Sequence, residues 1–291
     1  MSWIAFTVDV EEWFHILDTD TAPPPGAWNA QESRVERNTH TLLDHLETAG
    51  VSGTFFTLGW IADRHPDLVR EIAQRGHEIA SHGHNHILAF RVGREVFRED
   101  LLRSKRTLED TIGTEVIGYR AAGFSITEET PWAFEELAEA GFRYDSSVFP
   151  AKRGHGGFPD GLPVPHRITS SGGHELIEFP IPPLDLGILK MPFSGGGYLR
   201  LLPAPFVRAC IRRSLARGTP VNVYVHPREV DGGQPRIRLS SKRHFMTYVN
   251  IRRGEAKVRA LLRGFPRERF RRLDEALADA EQDPGLETLR I

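Results

Sequence analysis

At 291 residues and 40% hydrophobic content, the chain can bury a full core, as one large barrel or as one domain with an extension. Its formal net charge of −2 and pI near 6.7 exclude an overall field that would draw it to nucleic acid or an anionic membrane, so partners must be read from local sites. A single cysteine, Cys210, excludes an internal disulfide and a thiolate metal cluster, which fits a reducing compartment.

The first predicted element is an apolar, β-branched strand over 3–10. It ends in TVDVEEWFH, so Asp9, Glu11 and Glu12 sit where the strand emerges, and carboxylates placed there are costly unless something pairs with them. The start of the chain has no basic region followed by an apolar one, as a secretory signal would. No stretch approaches the roughly 20 apolar residues that span a bilayer. The expectation is a cytoplasmic protein with no membrane span.

Further strands are predicted over 53–58, 78–81, 116–120, 143–148, 175–180 and 220–226, and amphipathic helices over 36–49, 61–75, 94–112, 130–140 and 203–217. The alternation reads as βα units around a parallel sheet. A barrel is favoured, because no GxGxxG follows the first strand and polar residues gather just beyond the carboxyl ends of several strands. The stretch 151–205 is rich in Gly and Pro, with HGGFPDGLPVP and FSGGGYLRLLP, and reads as long loops over the barrel mouth. Ser194 to Gly197 is not a phosphate loop: no Gly-Lys-Ser/Thr follows, and no helix is expected to open there. After the loop VDGGQPRI, a helical pattern returns over 242–263, and the charged tail reads as a surface helix. The expected division is a barrel over 1–235 and a helical extension over 236–291.

Asp9 and Glu11, two apart, project from the same side of a strand. SHGHNH follows the strand HEIAS, and His82 and His86 can meet one metal ion if the segment turns helically. Two imidazoles and a carboxylate leave coordination positions open, the pattern of a catalytic rather than a structural zinc site. Arg120 ends another strand in GYRAAGF, where a guanidinium near a carboxylate forms a bidentate pair and keeps the acid ionised. His226 ends the strand TPVNVYV, a position suited to proton donation.

With DVEEWFH, SHGHNH, YRAAGFSI, YDSSVFP, PFSGGGYLRLLP and HPREVDGGQP in this order, the chain resembles the polysaccharide deacetylases. These are metal-dependent carbohydrate esterases (family 4, NodB-type) with a distorted (β/α) barrel. The nearer resemblance is to the subgroup found at exopolysaccharide loci linked to PEP-CTERM sorting. It implies Asp9 as general base, His82 and His86 as metal ligands, His226 as general acid and Arg120 as the partner that holds Asp9. The family's second aspartate is Val10 here, so the third ligand falls to Glu11, with Glu12 as the alternative. The proline of the arginine motif is Ala122, and the Gly123 N–H is the group left to face an oxyanion. Trp13, Phe124 and Tyr198 are candidates to stack on sugar rings.

The implied activity is removal of N-acetyl groups from the amino sugars of an oligo- or polysaccharide. The implied cofactor is a divalent metal, zinc first, with cobalt, nickel or iron also suited to these donors. Neither nucleic acid nor a membrane span is implied, and a homo-oligomer is left open. Three other readings use the same residues: hydrolysis of sugar N-formyl groups, cyclic imides or ureides; a non-catalytic carbohydrate-binding barrel; and a non-haem iron oxygenase.

Overall fold

The computed structural model describes residues 2–151, 156–185 and 190–291. Its first half is β1 (Ile4–Val10), α1 (Val35–Ala49), β2 (Thr54–Thr57), α2 (Gly59–Arg64), α3 (Pro66–Gln74), β3 (Glu78–Ser81), α4 (Arg94–Ile112), β4 (Gly118–Tyr119), α5 (Trp132–Glu139) and β5 (Tyr144–Asp145). Then come β6 (His166–Thr169), β7 (Glu175–Glu178), β8 (Leu184–Asp185), β9 (Lys190–Met191), α6 (Gly196–Leu201), α7 (Ala204–Ala216) and β10 (Val221–Val225). The chain finishes with α8 (Ser241–Tyr248), α9 (Gly254–Leu262), α10 (Leu273–Glu281) and β11 (Thr288–Arg290).

The main sheet runs β10-β1-β2-β3-β4-β5-β7-β6-β11, parallel throughout except between β6 and β7. It is an α/β barrel of the expected distorted kind and does not close: β10 and β11 end the order. The period-2 pattern of β1 assigns its two faces. Ile4, Phe6, Val8 and Val10 pack outward among the helices, with Leu42, Leu43 and Leu46 of α1. Ala5 joins Phe56, Ala80 and Tyr144 in a second, inner cluster, and Thr7 and Asp9, on the same face as Ala5, also point inward.

Several expectations are corrected. The helix expected over 61–75 is two, because Pro66 lacks the N–H a continuous helix needs and instead starts α3. The pattern over 242–263 likewise divides into α8 and α9, around Asn250 with φ of 50°. A helix does open at Gly196, where none was expected. The tail is not simply a surface helix: Leu273, Ala276, Leu277 and Ala280 of α10 are buried in the inner cluster, and the chain ends as β11 beside β6. The strands β6, β8, β9 and β11 are additions to the expected set.

Candidate active site

The carboxyl ends of β1, β3, β4 and β10 deliver the site. Arg120, just past β4, is completely buried inside the barrel with its guanidinium 4.0 Å from the centre of the Phe56 ring. All five of its N–H donors are used. Nη1 donates to Asp9 Oδ1 at 2.7 Å and to Thr7 Oγ1, Nη2 to Ser146 Oγ and Asn222 Oδ1, and Nε to the Ser146 carbonyl. The pairing with Asp9 is therefore through one oxygen and not bidentate, because Ser146 and Asn222 take the Nη2 and Nε protons that a second bond would need. Asp9 Oδ2 faces His226 Nε2 at 3.9 Å.

Glu11 leaves β1 on the same side. Its Oε2 lies 3.3 Å from His86 Nε2, and its Oε1 lies 4.0 Å from His82 Nε2 and 3.1 Å from His226 Nε2. Burial alone would favour the neutral acid, but His86, His226 and His82 outweigh it and hold Glu11 well below the usual carboxylate range. Glu12 turns the other way. Its carboxylate accepts the Arg34 and Val35 N–H groups and the Ser33 hydroxyl, so it serves the first turn of α1, whose preceding residue offers no side-chain cap.

SHGHNH makes no helical turn. Gly83 (φ 77°) and His86 (φ 54°) reverse the loop instead, bringing the His82 and His86 rings to 5.3 Å between centroids. Asp100 of α4 fixes this loop by accepting the N–H groups of His84 and Asn85 at 2.7 and 2.9 Å. His84 turns away to Asp63. The His82 Nδ1–H donates to the Arg120 carbonyl at 2.8 Å, which leaves Nε2 with its lone pair available to a ligand. His86 Nε2 is buried with no hydrogen-bond partner, and burial pushes the ring's pKa down to about 4.

Among the described residues, Glu11, His82 and His86 form a buried group of three whose ligand atoms all lie within 4.8 Å of one another. An orphaned imidazole nitrogen, a second one oriented by a carbonyl and a carboxylate held ionised fit a divalent cation of the zinc class.

His226 is the most open member, its side chain 21% exposed. Burial opposes its charge, but Glu11, Glu229 and Asp9 outweigh this and push its pKa up to about 10. Glu229 Oε1 meets His226 Nδ1, and the Glu229 carboxylate is also bound by Arg200 of α6. Arg200 in turn donates to the carbonyls of Met246, Thr247 and Val249 at the end of α8. Sequence reasoning missed Glu229, Arg200 and Asp100. Only Glu229 left a signal, an acid three residues after a strand-end histidine in HPRE.

Two of the residues expected to stack on sugars have their rings packed within the protein. Trp13 is buried and donates its indole N–H to the Glu32 carbonyl. Phe124 is buried between Phe149, Tyr224 and Arg120. Their ring faces are occupied by protein. Tyr198 is half-buried on α6, and Gly123 sits with φ of 62° in the turn after β4. His15 packs between Trp28 and Trp60, with Nδ1 accepting the Glu12 N–H and Nε2 buried and unpartnered.

Residues 20–144 match the family model for polysaccharide deacetylase, and residues 146–278 match that of a domain of unknown function, DUF3473. The chain is 31% identical over 105 residues to a peptidoglycan-N-acetylglucosamine deacetylase of Bacillus cereus, a match spanning 36% of this chain and 47% of that protein. A second B. cereus protein of that description is 30% identical over 99 residues, spanning 34% and 36%. The chain thus spans about half or less of the curated relatives it matches.

Three solved structures share the fold. A polysaccharide deacetylase candidate from Mycobacterium smegmatis superposes with a TM-score of 0.58 at 24% identity, over 94% of this chain and 83% of that one. PuuE allantoinase gives 0.62 at 16%, over 97% and 91%. A family 4 carbohydrate esterase from Streptomyces lividans, in complex with acetate, gives 0.51 at 12%, over 92% and 90%.

Proposed function

On a chain that carries a polysaccharide deacetylase domain followed by a DUF3473 segment, we propose that this site hydrolyses N-acetyl amides on the amino sugars of an oligo- or polysaccharide. One observation carries the reading: an arginine-anchored aspartate, a buried Glu-His-His group and an acid-supported histidine converge, with His226 Nε2 at 3.1 Å from Glu11 and 3.9 Å from Asp9. A binding protein needs neither a base nor an acid in that place.

Glu11, His82 and His86 would hold the metal, zinc first among the divalent ions these donors suit. When bound, the ion supplies Lewis acidity to the acetyl carbonyl and the attacking water. Asp9, fixed through Oδ1 by Arg120, presents Oδ2 to take the proton as water adds to the amide carbon. The Gly123 N–H is assigned to the developing oxyanion. His226 gives its Nε2 proton to the departing sugar nitrogen as the C–N bond breaks, leaving acetate and a free amine. Glu229 keeps His226 in the orientation and charge state that this step needs.

The motif set from DVEEWFH to HPREVDGGQP, over residues 9–235, supports placing the substrate among exopolysaccharides. The test is acetate release from N-acetylhexosamine oligomers by metal-loaded protein. Acetate appearing in step with free amine supports the reading. Stoichiometric metal with no acetate from any acetylated oligomer would end it.

A further inference from the structure

The net charge of −2 conceals a strong division. Residues 196–272 carry 19 lysines and arginines against four aspartates and glutamates, and the remainder carries 18 against 35. All four acids are already engaged: Glu229 with Arg200, Asp231 with Arg34 and Arg37, Glu255 with His45, and Glu268 with Arg267. None of the four is paired with an arginine of α7 or α9.

Those cations face outward together. α7 and α9 lie side by side, with Arg208 and Arg212 of α7 donating across the seam to the Ala260 and Gly264 carbonyls. Val207, Cys210 and Ile211 of α7 and Val258, Leu261 and Leu262 of α9 are turned to the core. This leaves Arg213, Arg217, Arg259 and Arg263 exposed, with no carboxylate partner among the described residues. The same layer exposes three of the five large hydrophobics that stand in solvent among the described residues: Leu201 of α6 at 37%, Phe206 of α7 at 42% and Phe245 of α8 at 54%. α8 and α6 are in close contact, the Met246 carbonyl lying against Gly197.

We propose that the outer face of α6–α9 docks on an anionic phospholipid surface, its arginines on headgroup phosphates and Phe206 and Phe245 in the interfacial zone. A cationic face with protruding aromatic and aliphatic side chains is the combination that holds proteins at such a surface. A soluble polyanion would use the cations alone. The seam cavity between Leu199, Val207, Lys257 and Leu261 measures about 10 Å³, room for little more than a water and not for a sugar ring. No helix among the described residues is long and apolar enough to cross a membrane, so the attachment is peripheral.

The experiment is cosedimentation of the full chain with vesicles of phosphatidylcholine alone or with about 30% phosphatidylglycerol, at about 0.05 M and about 0.5 M salt. It uses no catalysis, so its outcome is separable from that of the deacetylase assay. The expected result is binding to the anionic vesicles at low salt that falls at least about tenfold at high salt or in Arg213→Glu/Arg217→Glu/Arg259→Glu. Phe206→Ser/Phe245→Ser should weaken binding while keeping its salt dependence. Every substituted side chain is exposed, so unchanged thermal transitions serve as the folding control. Equal sedimentation with neutral vesicles, none with anionic ones, or binding that the phenylalanine pair does not affect and dextran sulfate fully replaces would each overturn the proposal.

Discussion

Glu229 Oε1 stands 3.3 Å from His226 Nδ1, and Arg200 grips the same carboxylate from the other side. The histidine's other nitrogen, Nε2, is thereby aimed at Asp9 and Glu11, and its charge is supported from behind. Arg200 is itself anchored on three carbonyls at the end of α8, so the stretch that matches the DUF3473 model places His226, Glu229 and Arg200 beside the candidate residues of the first 120. Glu229→Gln should lower kcat roughly 10- to 100-fold with KM and metal content unchanged, the usual cost of removing a group that orients a ligand or acid. Steady-state kinetics beside elemental analysis checks this, and a wild-type kcat would remove Glu229 from the mechanism.

Asp9 and Arg120 predict a separation of activity from metal binding. Asp9→Asn removes the base but none of the three ligating side chains, so turnover should be lost while metal is retained. Arg120→Met leaves Asp9 buried without its cation and strands Thr7, Ser146 and Asn222, which should cost about 3–5 kcal/mol. Acetate release beside elemental analysis tests Asp9→Asn, and urea unfolding tests Arg120→Met. An active Asp9→Asn protein, or an Arg120→Met protein as stable as wild type, would count against this assignment.

Adjacent glutamates should give opposite phenotypes. Glu11→Ala and His86→Ala should each lose the metal, about one ion per chain in the wild type after dialysis. Glu12→Ala should keep it and lose about 1–2 kcal/mol, because the start of α1 is left without its acceptor. Elemental mass spectrometry and thermal melts distinguish the pair. Metal lost from Glu12→Ala and kept in Glu11→Ala would reverse the roles.

How these residues could be read beforehand differs from one to the next. Asp9, Glu11, His82, Arg120 and His226 were legible because each ends a strand whose patterning is strong, and parallel barrels gather strand ends at one mouth. His86 was found for a wrong local reason, since positive φ at Gly83 and His86, not a helical turn, brings it back to His82. Glu12 resembled a spare ligand because its partners, the N–H groups of Arg34 and Val35, lie over twenty residues away. Arg200 was invisible for the same reason, its carbonyl acceptors being nearly fifty residues on. Trp13 and Phe124 looked available because sequence shows residue type and not which ring faces are already covered.

Glu78 supplies a pH prediction away from the mouth. Its carboxylate, at the base of the barrel, accepts from Thr54, Tyr144 and the Asp274 N–H in the first turn of α10. Burial, then the charge of Asp274, pushes its pKa from 4.5 up to about 7 despite those donors. Between these values the folded protein holds a proton that the unfolded chain has released. The stability Glu78 contributes is therefore fully present below about pH 4.5 and is lost as pH rises to about 7, at most about 3 kcal/mol. Glu78→Gln mimics the protonated form, since its amide oxygen can still accept from Asp274 and its NH2 can donate to the Tyr144 oxygen. The variant should therefore gain stability relative to wild type between pH 5 and pH 7 and hold that gain above it. His77 and His86, pushed by burial from 6.5 down to about 4, also change stability across this window, so the difference between paired urea curves is the quantity that isolates Glu78. A difference that stays constant with pH would mean that the carboxyl is ionised throughout, its three donors outweighing burial.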